Sequence, residues 1–560
     1  MIRLRSLTVP VLTAAALAGC HSDLRVGSEV VGAGSGGNGG VLTPGKGGSG
    51  GTAGASGGAP PVGGNLGGGG APIVGASGGA AGGDRATGGD GTSGSGGVGG
   101  MAGVPCDRVF TASLVTVGTA AQVQSFQGVG RIVGNLTISD ATTGGPTNLG
   151  ALACLSEVTG KLTITGTKQL TSLAGLERLA HVGALEVSSN SALTTIEALA
   201  ALTAVDTTLT ITGNSALRAL VGLNGLTRMT GDLVVSKNAA LPSLAGLENL
   251  TASDGNLVVT EIGQLASLDG LSKLQALSGD VTVKGNPTLA RIDGLRPLSM
   301  LGGRMTVSQN PALLSLTGLE GLTTINSLEV GENAVLRDLA GLSNLTTVTD
   351  QMGIHDCPAL SNLRALAKLS TVGSLGLDNV PLTSLAGLEA LSVVTGDLLL
   401  NELPVVADLT NLSALTTVGS VQISGNPLLG RLGLFDRITR VPGFVDVSAN
   451  PMLTDLTGLS TLVDVGTLQI FGDDGLRDLH GLENLVHVGG FGTFPYLDVE
   501  NNASLTSLRA LAGLKKLDGS VTVQDNPRLP TCEADWLVGN LGTISGDTTI
   551  IGNAAGGVCH

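Results

Sequence analysis

Two short stretches of the 560-residue chain have spacings that could support catalysis. The sequence GASGG at 75–79 fits the nucleophile-elbow pattern, in which a sharp turn between a strand and a helix exposes a serine. Residues 40–46 have the glycine and lysine spacing of a phosphate-binding loop, but Gly47 stands where Ser or Thr would bind magnesium. Both stretches lie in a tract of Gly, Ala and Ser with no strand or helix pattern beside them. We therefore expect neither to be catalytic.

Histidine and cysteine side chains could also form a metal site. Such a site requires clustered ligands at short spacing. No two of the six histidines have that spacing, and the six cysteines are widely separated. We therefore expect neither a metal ion nor any other cofactor. The histidines are His21, His181, His355, His480, His487 and His560.

Composition excludes an ordinary globular enzyme. Charged residues make up 13% of the chain and aromatic residues only 2%, whereas irregular cores normally use many aromatic side chains. Most chains also have far fewer glycines than the 90 found here, and these glycines are concentrated in residues 31–104. We predict a signal peptide at 1–19, a lipidated amino terminus at 20–30, a disordered linker at 31–104 and a repeat domain at 105–560.

The first twenty residues have the organisation of a secretory signal. Arg3 and Arg5 precede a short apolar core that is too short to span a membrane. The ending Leu17-Ala18-Gly19-Cys20 resembles the lipobox of bacterial lipoproteins. That resemblance implies cleavage before Cys20, acylation of its thiol and amino group, and attachment to a membrane through lipid. His21 follows the cysteine where the family has Asp for inner-membrane retention, which favours the outer membrane, on its periplasmic or cell-surface side. The alternative is an ordinary secretory signal with an incidental cysteine.

Residues 31–104 are predicted to be a tether. Their Gly, Ala and Ser cannot bury enough apolar surface to offset backbone entropy of about 1–2 kcal/mol per residue. A flexible coil of this length spans about 50 Å on average, which is enough to hold a domain away from a membrane.

The remainder of the chain is periodic. Blocks of 24 residues begin at Leu209, Leu233, Leu257 and Val281, and similar blocks continue to the end of the chain. Apolar residues at the first and third positions predict a strand with one inward face, and a Leu-x-x-Leu-x-x-Leu run follows. That run suits either a tight coil edge or a short second strand. Stacked turns share one interior, which predicts a mainly β, right-handed parallel β-helix or leucine-rich-repeat solenoid of 18–19 turns of 23–24 residues.

Asparagine recurs at the sixth position of the block. Its amide can satisfy backbone groups of neighbouring turns, and its backbone tolerates unusual angles at a bend. We predict a structural ladder of Asn190, Asn214, Asn238, Asn286, Asn310, Asn333, Asn426, Asn450, Asn502 and Asn526.

These blocks resemble leucine-rich repeats, and more closely the L domain of receptor ectodomains and microbial surface proteins. The resemblance rests on the Leu-x-Ile-x-x-Asn strand, the Leu-x-x-Leu-x-Gly-Leu-x-x-Leu run and the Gly-Asp or Gly-Ser before the next strand. It covers roughly residues 107–553 and implies a scaffold used for many recognition tasks. Receptor L domains have fewer turns and longer insertions, so their ligand faces do not transfer to this chain.

The remaining cysteines mark the ends of the repeat. Cys106 and Cys154 bracket the first turns, and Cys532 and Cys559 bracket the last. Because the ends of a solenoid need caps and export permits disulfides, we predict these two pairings. In receptor L domains, too, a cysteine near the start pairs with one before an early strand. Cys357 occupies an asparagine position and is predicted to be a buried structural thiol.

One block departs from the repeat. The block from Leu468 to Tyr496 has 29 residues, and six of the nine aromatic residues fall between positions 435 and 496. Phe471 occupies the fourth strand position, whose side chain should point outward, and an exposed aromatic cluster is a plausible ligand-binding patch. The alternative is that the longer loop folds back and buries Phe471. The candidate ligand-binding residues are Phe471, Phe491, Phe494 and Tyr496.

The predicted function is non-catalytic recognition or adhesion by a lipid-anchored, monomeric envelope protein whose partner is an unknown protein or glycan. The net charge of the chain is −15, and because residues 1–30 contribute +1 and residues 31–104 contribute 0, the repeat region carries −16, which disfavours nucleic acid as a partner. The main alternative is a structural spacer of the envelope without a specific ligand.

Two more distant alternatives follow from the β-helix architecture. Polysaccharide-acting enzymes line a groove with carboxylates, basic residues and aromatic platforms, whereas the outward strand positions here show no catalytic grouping. Ice binding would use outward threonine pairs such as Thr163/Thr165 and Thr210/Thr212, but the pattern lapses at Val234/Ser236 and Thr282/Lys284.

Overall fold

Each turn of the repeat region begins with a strand, and these strands stack in parallel. The computed structural model describes residues 105–140, 145–433, 437–490 and 495–556. The leading strands of successive turns are Arg108–Val117, Val129–Ser139, Glu157–Thr165, His181–Ser188, Leu209–Thr212, Leu233–Ser236, Leu257–Thr260, Val281–Lys284, Arg304–Ser308, Ser327–Gly331, Thr347–His355, Thr371–Asp378, Val393–Asn401, Thr417–Ser424, Arg440–Ser448, Asp464–Phe471, Tyr496–Glu500, Ser520–Gln524 and Thr548–Ile551.

The register of these strands is fixed by their repeat positions. Leu209 lies opposite Leu233, Leu233 opposite Leu257, and Leu257 opposite Val281. A shift by one residue would turn the leucines outward, so burial of one face enforces this alignment. The described region is a mainly β, parallel solenoid of about 18 turns. This confirms the fold class predicted from the repeat.

A second, shorter ladder precedes the leading strands. In some turns it is continuous with the leading strand, so Thr347–His355 pairs with both Thr324–Ile325 and Ser327–Gly331. Elsewhere the short strands stand alone, and four of them form a separate parallel sheet. The separate short strands are Ala204–Val205, Arg228–Met229, Ala252–Ser253, Ala276–Leu277, Met300–Leu301, Thr324–Ile325, His487–Val488, Lys516–Leu517 and Thr543–Ile544.

The Leu-x-x-Leu run forms a tight coil edge. Pairing between runs is confined to isolated bridges such as Ser172 with Thr195. In many turns a short 3-10 helix lets the chain reverse within a few residues. These helices are Gly150–Leu152, Glu197–Leu199, Asp269–Leu271, Asp293–Leu295, Ala340–Leu342, Arg364–Leu366, Thr410–Leu412, Thr457–Leu459 and Arg509–Gly513.

One hydrophobic core runs through the described turns. Leu241, Leu244, Leu247 and Leu250 of one turn are all buried, and the equivalent residues of neighbouring turns belong to the same cluster. Burial of each leucine contributes about 1.5–3 kcal/mol relative to exposure. A single turn cannot bury both sides of its leucine set, so its stability depends on the turns above and below.

The ten predicted asparagines are all buried. Each lies in the bend that follows a leading strand, and together they form a ladder. The amide oxygen of Asn238 accepts hydrogen bonds from the backbone N–H of Asn214 (3.0 Å) and from Asn214 Nδ2 (3.3 Å). Asn238 Nδ2 in turn donates to the Ile211 carbonyl (2.9 Å). Each amide therefore satisfies backbone groups that the bend would otherwise leave buried without partners. Asn553 repeats this arrangement in the last turn.

The unusual backbone angles of the bend lie one residue before the asparagine. Lys237 has a φ of 54° and Ala449 a φ of 54°, and glycine takes this place in other turns, as at Gly213. The expectation that asparagine itself accommodates the left-handed angle is therefore wrong. Asparagine is needed for its hydrogen bonds, while the preceding residue bears the conformational cost.

Helices and cysteines close the two ends of the described region. The helix Ala120–Gln124 lies between the first two strands, near a disulfide that joins Cys106 to Cys154. The helix Thr531–Asn540 follows the penultimate leading strand. Cys532 in that helix is disulfide-bonded, and Cys559 lies outside the described residues.

The second helix is held by a buried carboxylate. Glu533 accepts hydrogen bonds from the Leu508 N–H (3.0 Å) and from Arg509 Nε (2.9 Å). The Arg509 guanidinium also lies 4.1 Å from the centre of the Trp536 ring. These contacts cover the exposed end of the leucine core.

Candidate binding surface

The outer face of the leading strands is formed by the residues at the second and fourth positions of each repeat block, as counted from the first inward residue, such as Leu209. Along most of the solenoid these residues are small or polar, for example Thr210 and Thr212 opposite Val234 and Ser236. Gly376 lies in the strand Thr371–Asp378, and a Cβ added there would have no atom within 4 Å. A surface built from such residues is available for contact with a partner.

Two of the four aromatic candidates lie on this face. Phe471 stands between Ser448 and Glu500 on neighbouring strands, and its side chain is 37% exposed. Tyr496 is half-buried, and its hydroxyl donates a hydrogen bond to Gln469 Oε1 (3.2 Å). Phe491 and Phe494 lie outside the described residues. Phe471 is therefore an outward residue of the described sheet.

Acidic residues lie beside the aromatic pair. Asp446, Gln469 and Asp498 occupy the second position of three successive repeat blocks. In the ladder, Asp446 lies opposite Gln469 and Gln469 lies opposite Asp498. Glu500 follows on the same face, next to Phe471. We call Asp446, Gln469, Phe471, Asp498 and Glu500 the acidic patch. Its carboxylates were not predicted as a group, because the outward residues of single turns show no such grouping.

The carboxylates of the acidic patch are poorly satisfied. Asp446 is only 9% exposed, and its Oδ2 accepts a hydrogen bond from Gln422 Nε2 (3.0 Å). The Oδ1 atoms of Asp446 and Asp498 are both buried and have no hydrogen-bond partner among the described residues. Buried carboxylate oxygens without donors are costly, because the charge has lost water without gaining a protein partner.

This environment raises the pKa of the acidic groups. Burial, followed by the charge and hydrogen bond of Glu500 and the charge of Asp446, raises the pKa of Asp498 to about 8. Burial raises the pKa of Asp446, although hydrogen bonds from Gln422 and Ser448 oppose the change. Burial and the two aspartates raise the pKa of Tyr496. Groups with such shifts often lie at functional sites.

Two carboxylates elsewhere on the same face have cationic partners. Glu186 is paired with Lys161 Nζ (2.6 Å), and the pKa of Glu186 is lowered because its hydrogen-bond partners and the Lys161 charge outweigh its burial. Glu329 is paired with His355 Nε2 (2.8 Å). The hydrogen bond that His355 donates to Glu329 raises the pKa of His355 to about 9, with a further contribution from Asp356 and in opposition to the effect of burial. Among the described residues, no Lys, Arg or His forms an ion pair with Asp446, Asp498 or Glu500.

Within the described ranges, no group of three or more His, Cys, Asp or Glu side chains could hold a metal ion. The described histidines have acidic neighbours instead, as in the contact of His487 Nε2 with Asp518 Oδ2 (2.9 Å).

The remaining candidate residues are structural or lie elsewhere. Cys357 is a buried free thiol in the asparagine ladder, and burial raises its pKa to about 11. Cys20 and the predicted signal and linker, residues 1–104, lie outside the described residues. In the part of the chain that the structure describes, no helix is both long and apolar enough to cross a membrane.

Comparison with known proteins gives similarity of structure only. No family model and no curated protein sequence matches the chain. Among solved structures, an internalin (InlF) from Listeria monocytogenes is 18% identical with a TM-score of 0.30, covering 65% of this chain and 87% of its own. A leucine-rich repeat protein of Leptospira interrogans is 17% identical with a TM-score of 0.33, covering 77% and 99%.

A third similar structure is a complex of TLR13 with ssRNA13. It is 14% identical with a TM-score of 0.29, covering 79% of this chain and 84% of its own. These values are too low to transfer a ligand or a binding face. The strand pairing and shared core described above therefore carry the assignment of a parallel repeat solenoid.

Proposed function

We propose that the chain is a non-catalytic recognition protein, held at the bacterial outer membrane by lipid on Cys20, that binds a protein partner through the outer face of its sheet. The observation that carries this proposal is the acidic patch, where exposed Phe471 lies beside carboxylates that have no cationic partner among the described residues. An apolar ring next to unsatisfied polar atoms is the composition expected of a binding hot spot.

The geometry favours binding over catalysis. Asp446 and Asp498 lie on an outer sheet face with Gln469 between their strands. A site that acts on an acidic polysaccharide would place basic side chains beside its carboxylates. Among the described residues, no basic side chain forms an ion pair with Asp446 or Asp498. The expectation of a non-enzymatic protein therefore stands as part of the proposal.

A binding assay separates recognition from a purely structural spacer. The purified chain is applied to intact cells or surfaces that carry candidate partners, and bound protein is measured against concentration. Recognition predicts saturable binding that falls about tenfold in affinity for Phe471→Ala. Met300→Ala removes a side chain that is 68% exposed on another part of the solenoid, and serves as the control. Repeated absence of saturable binding would support the spacer instead.

The anchoring part of the proposal needs its own experiment. Labelling of cells with a palmitate analogue should mark the wild-type chain and leave Cys20→Ser unmarked. Protease added to intact cells should cut the repeat region if it faces outward, and spare it if it faces the periplasm. A chain that is secreted and unlabelled in its wild-type form would contradict lipid anchoring.

A further inference from the structure

We infer that the acidic patch binds an arginine side chain of a partner protein, with the guanidinium stacked on Phe471 and hydrogen-bonded to Asp446 and Asp498. This inference rests on the proposed recognition function and names the chemistry of its partner.

Charge complementarity favours a cation at this place. Asp446, Asp498 and Glu500 project from the same face, and ion pairs from the described residues do not neutralise them. Lys161 and His355 do neutralise the equivalent acidic positions of other turns. Asp446 and Asp498 lie on the two strands that flank the Phe471 strand. A cation supplied from outside would complete there the pairing that Lys161 and His355 make internally for Glu186 and Glu329.

The unsatisfied oxygens indicate where a donor would bind. Asp446 is nine-tenths buried, its Oδ2 is already bound to Gln422, and its Oδ1 has no donor among the described residues. Asp446 lies opposite Gln469, and Gln469 lies opposite Asp498, so the Asp446 side chain projects from the same face as the rest of the acidic patch. Both Oδ1 atoms are covered in the free chain, so an incoming donor that displaces the covering side chains would satisfy Asp446 Oδ1 and Asp498 Oδ1 together.

The spacing of the carboxylates selects the type of cation. Strands are spaced about 4.8 Å apart, so Asp446 and Asp498 start from backbones about 10 Å apart, with Gln469 between them. A guanidinium has five donors in a planar fork and can reach separated acceptors, whereas an ammonium is a compact point charge. The planar group also stacks on an aromatic ring, and Phe471 supplies that ring beside the carboxylates. A metal ion would need clustered ligands that the described residues do not provide.

Binding of short peptides to the full chain, purified in detergent, tests the inference. The probes are three fluorescent peptides in which glycine alternates with arginine, lysine or glutamate. We expect the arginine peptide to bind more tightly than the lysine peptide, and the glutamate peptide not to bind. The double variant Asp446→Asn with Asp498→Asn should lose at least about tenfold in affinity for the arginine peptide.

A matched double variant controls for general acidity. Glu402→Gln with Asp525→Asn likewise changes two carboxyl groups to amides, here at exposed residues on the bend edge of the solenoid, and should change affinity less than about twofold. Phe471→Ala should abolish the preference for arginine over lysine. Because Phe471 is a surface residue, this variant also tests the inference if the aspartate variants fold poorly.

Several results would overturn the inference. One is an equal loss of affinity for the arginine peptide in the two double variants. Another is equal affinity of the wild-type chain for the arginine and lysine peptides. The third is binding of calcium from calcium chloride alone that disappears when Asp446 and Asp498 are changed. Saturable binding of a cellular partner that is unaffected by Asp446→Asn with Asp498→Asn would reject the arginine site and leave recognition intact. Failure of the wild-type chain to bind any cellular partner would instead reject the proposed function.

Discussion

At the scale of single residues, one position breaks the chemistry of the asparagine ladder. Asp473 takes the asparagine position and accepts hydrogen bonds from the Asn450 N–H (2.7 Å) and Asn450 Nδ2 (3.1 Å). Its second oxygen, Oδ2, replaces the amide nitrogen that donates to a carbonyl in other turns, and it has no partner among the described residues. Burial, only partly offset by the Asn450 hydrogen bonds, raises the pKa of Asp473 to about 7.

Replacement Asp473→Asn should therefore stabilise the solenoid. Above pH 7 the aspartate is ionised in both the folded and the unfolded chain, and the folded state bears the full cost of the buried charge. That cost is at most about 4 kcal/mol, because each tenfold change in a protonation equilibrium corresponds to roughly 1.4 kcal/mol. As the pH falls from 7 towards 4 the folded state alone binds the proton, so the cost shrinks. Thermal unfolding should show a higher Tm for Asp473→Asn at pH 8 and a smaller gain at pH 5.

The exposed neighbour provides the control for this experiment. Asp474→Asn removes a charge next to Asp473 but leaves the buried oxygen in place, so its effect on Tm should be small. A gain for Asp473→Asn that is as large at pH 5 as at pH 8 would contradict this role for protonation.

The acidic patch makes a second residue-scale prediction, on pH. Its titratable groups are Asp446, Asp498 and Glu500, with Tyr496 beside them, and the Asp498 pKa of about 8 leaves this carboxyl protonated near neutrality. A bound cation favours the ionised form, so the affinity of the arginine peptide should rise with pH, by up to about tenfold per unit, and level off above pH 8. Fluorescence anisotropy from pH 6 to 9 measures this. Asp498→Asn should flatten the profile, and an unchanged slope in that variant would exclude Asp498 as its source.

At the scale of structural elements, the coil edge depends on glycine where turns touch. Gly246 has a φ of 118°, and a Cβ there would overlap the Leu220 carbonyl of the preceding turn. Gly376 has an ordinary backbone angle and open space around it. We expect Gly246→Ala to destabilise the solenoid by about 2–4 kcal/mol and Gly376→Ala to be neutral. Urea unfolding followed by circular dichroism tests this pair, and equal stability of the two variants would contradict the proposed close packing of turns.

The elements were predictable from sequence to the extent that they repeat. Alternation such as Leu209 and Ile211 predicts the strand and its buried face because every turn meets the same neighbours. The left-handed residue before each asparagine has no such signal, since Lys237, Gln309 and Ala449 all occupy it. Stacking imposes that angle, and the side chain has little influence on it. The choice between a coil edge and a second strand also depended on packing between turns.

The acidic patch could not be predicted from one turn at a time. Asp446 and Asp498 become neighbours of Gln469 only through the register of three strands. The long block between Leu468 and Leu497 changes the spacing in sequence, so a fixed period does not align these residues. Phe471 was found because its strand position could be compared directly with those of Ser448 and Glu500. Its surroundings required the structure.

At the scale of the whole repeat region, one continuous core explains the unusual composition. Leucine, valine and isoleucine fill equivalent positions in every turn, so the interior needs almost no aromatic residues. Phe126 is buried at the first turns, and Phe110 packs against it. Phe471 of the acidic patch and the neighbouring Tyr496 are thus available for contact with a partner. Rigidity over many turns would hold that patch in one geometry and limit the entropy lost on binding.

Native-state amide hydrogen exchange tests the central claim, a single stack of turns with a shared interior, most directly. We predict slow exchange at the strand amides of every turn between Val129 and Gln524, with faster exchange at the terminal turns and the bends. A group of central turns that exchanges rapidly while its neighbours remain protected would contradict a continuous core. Such a result would also remove the rigid sheet on which the binding proposal depends.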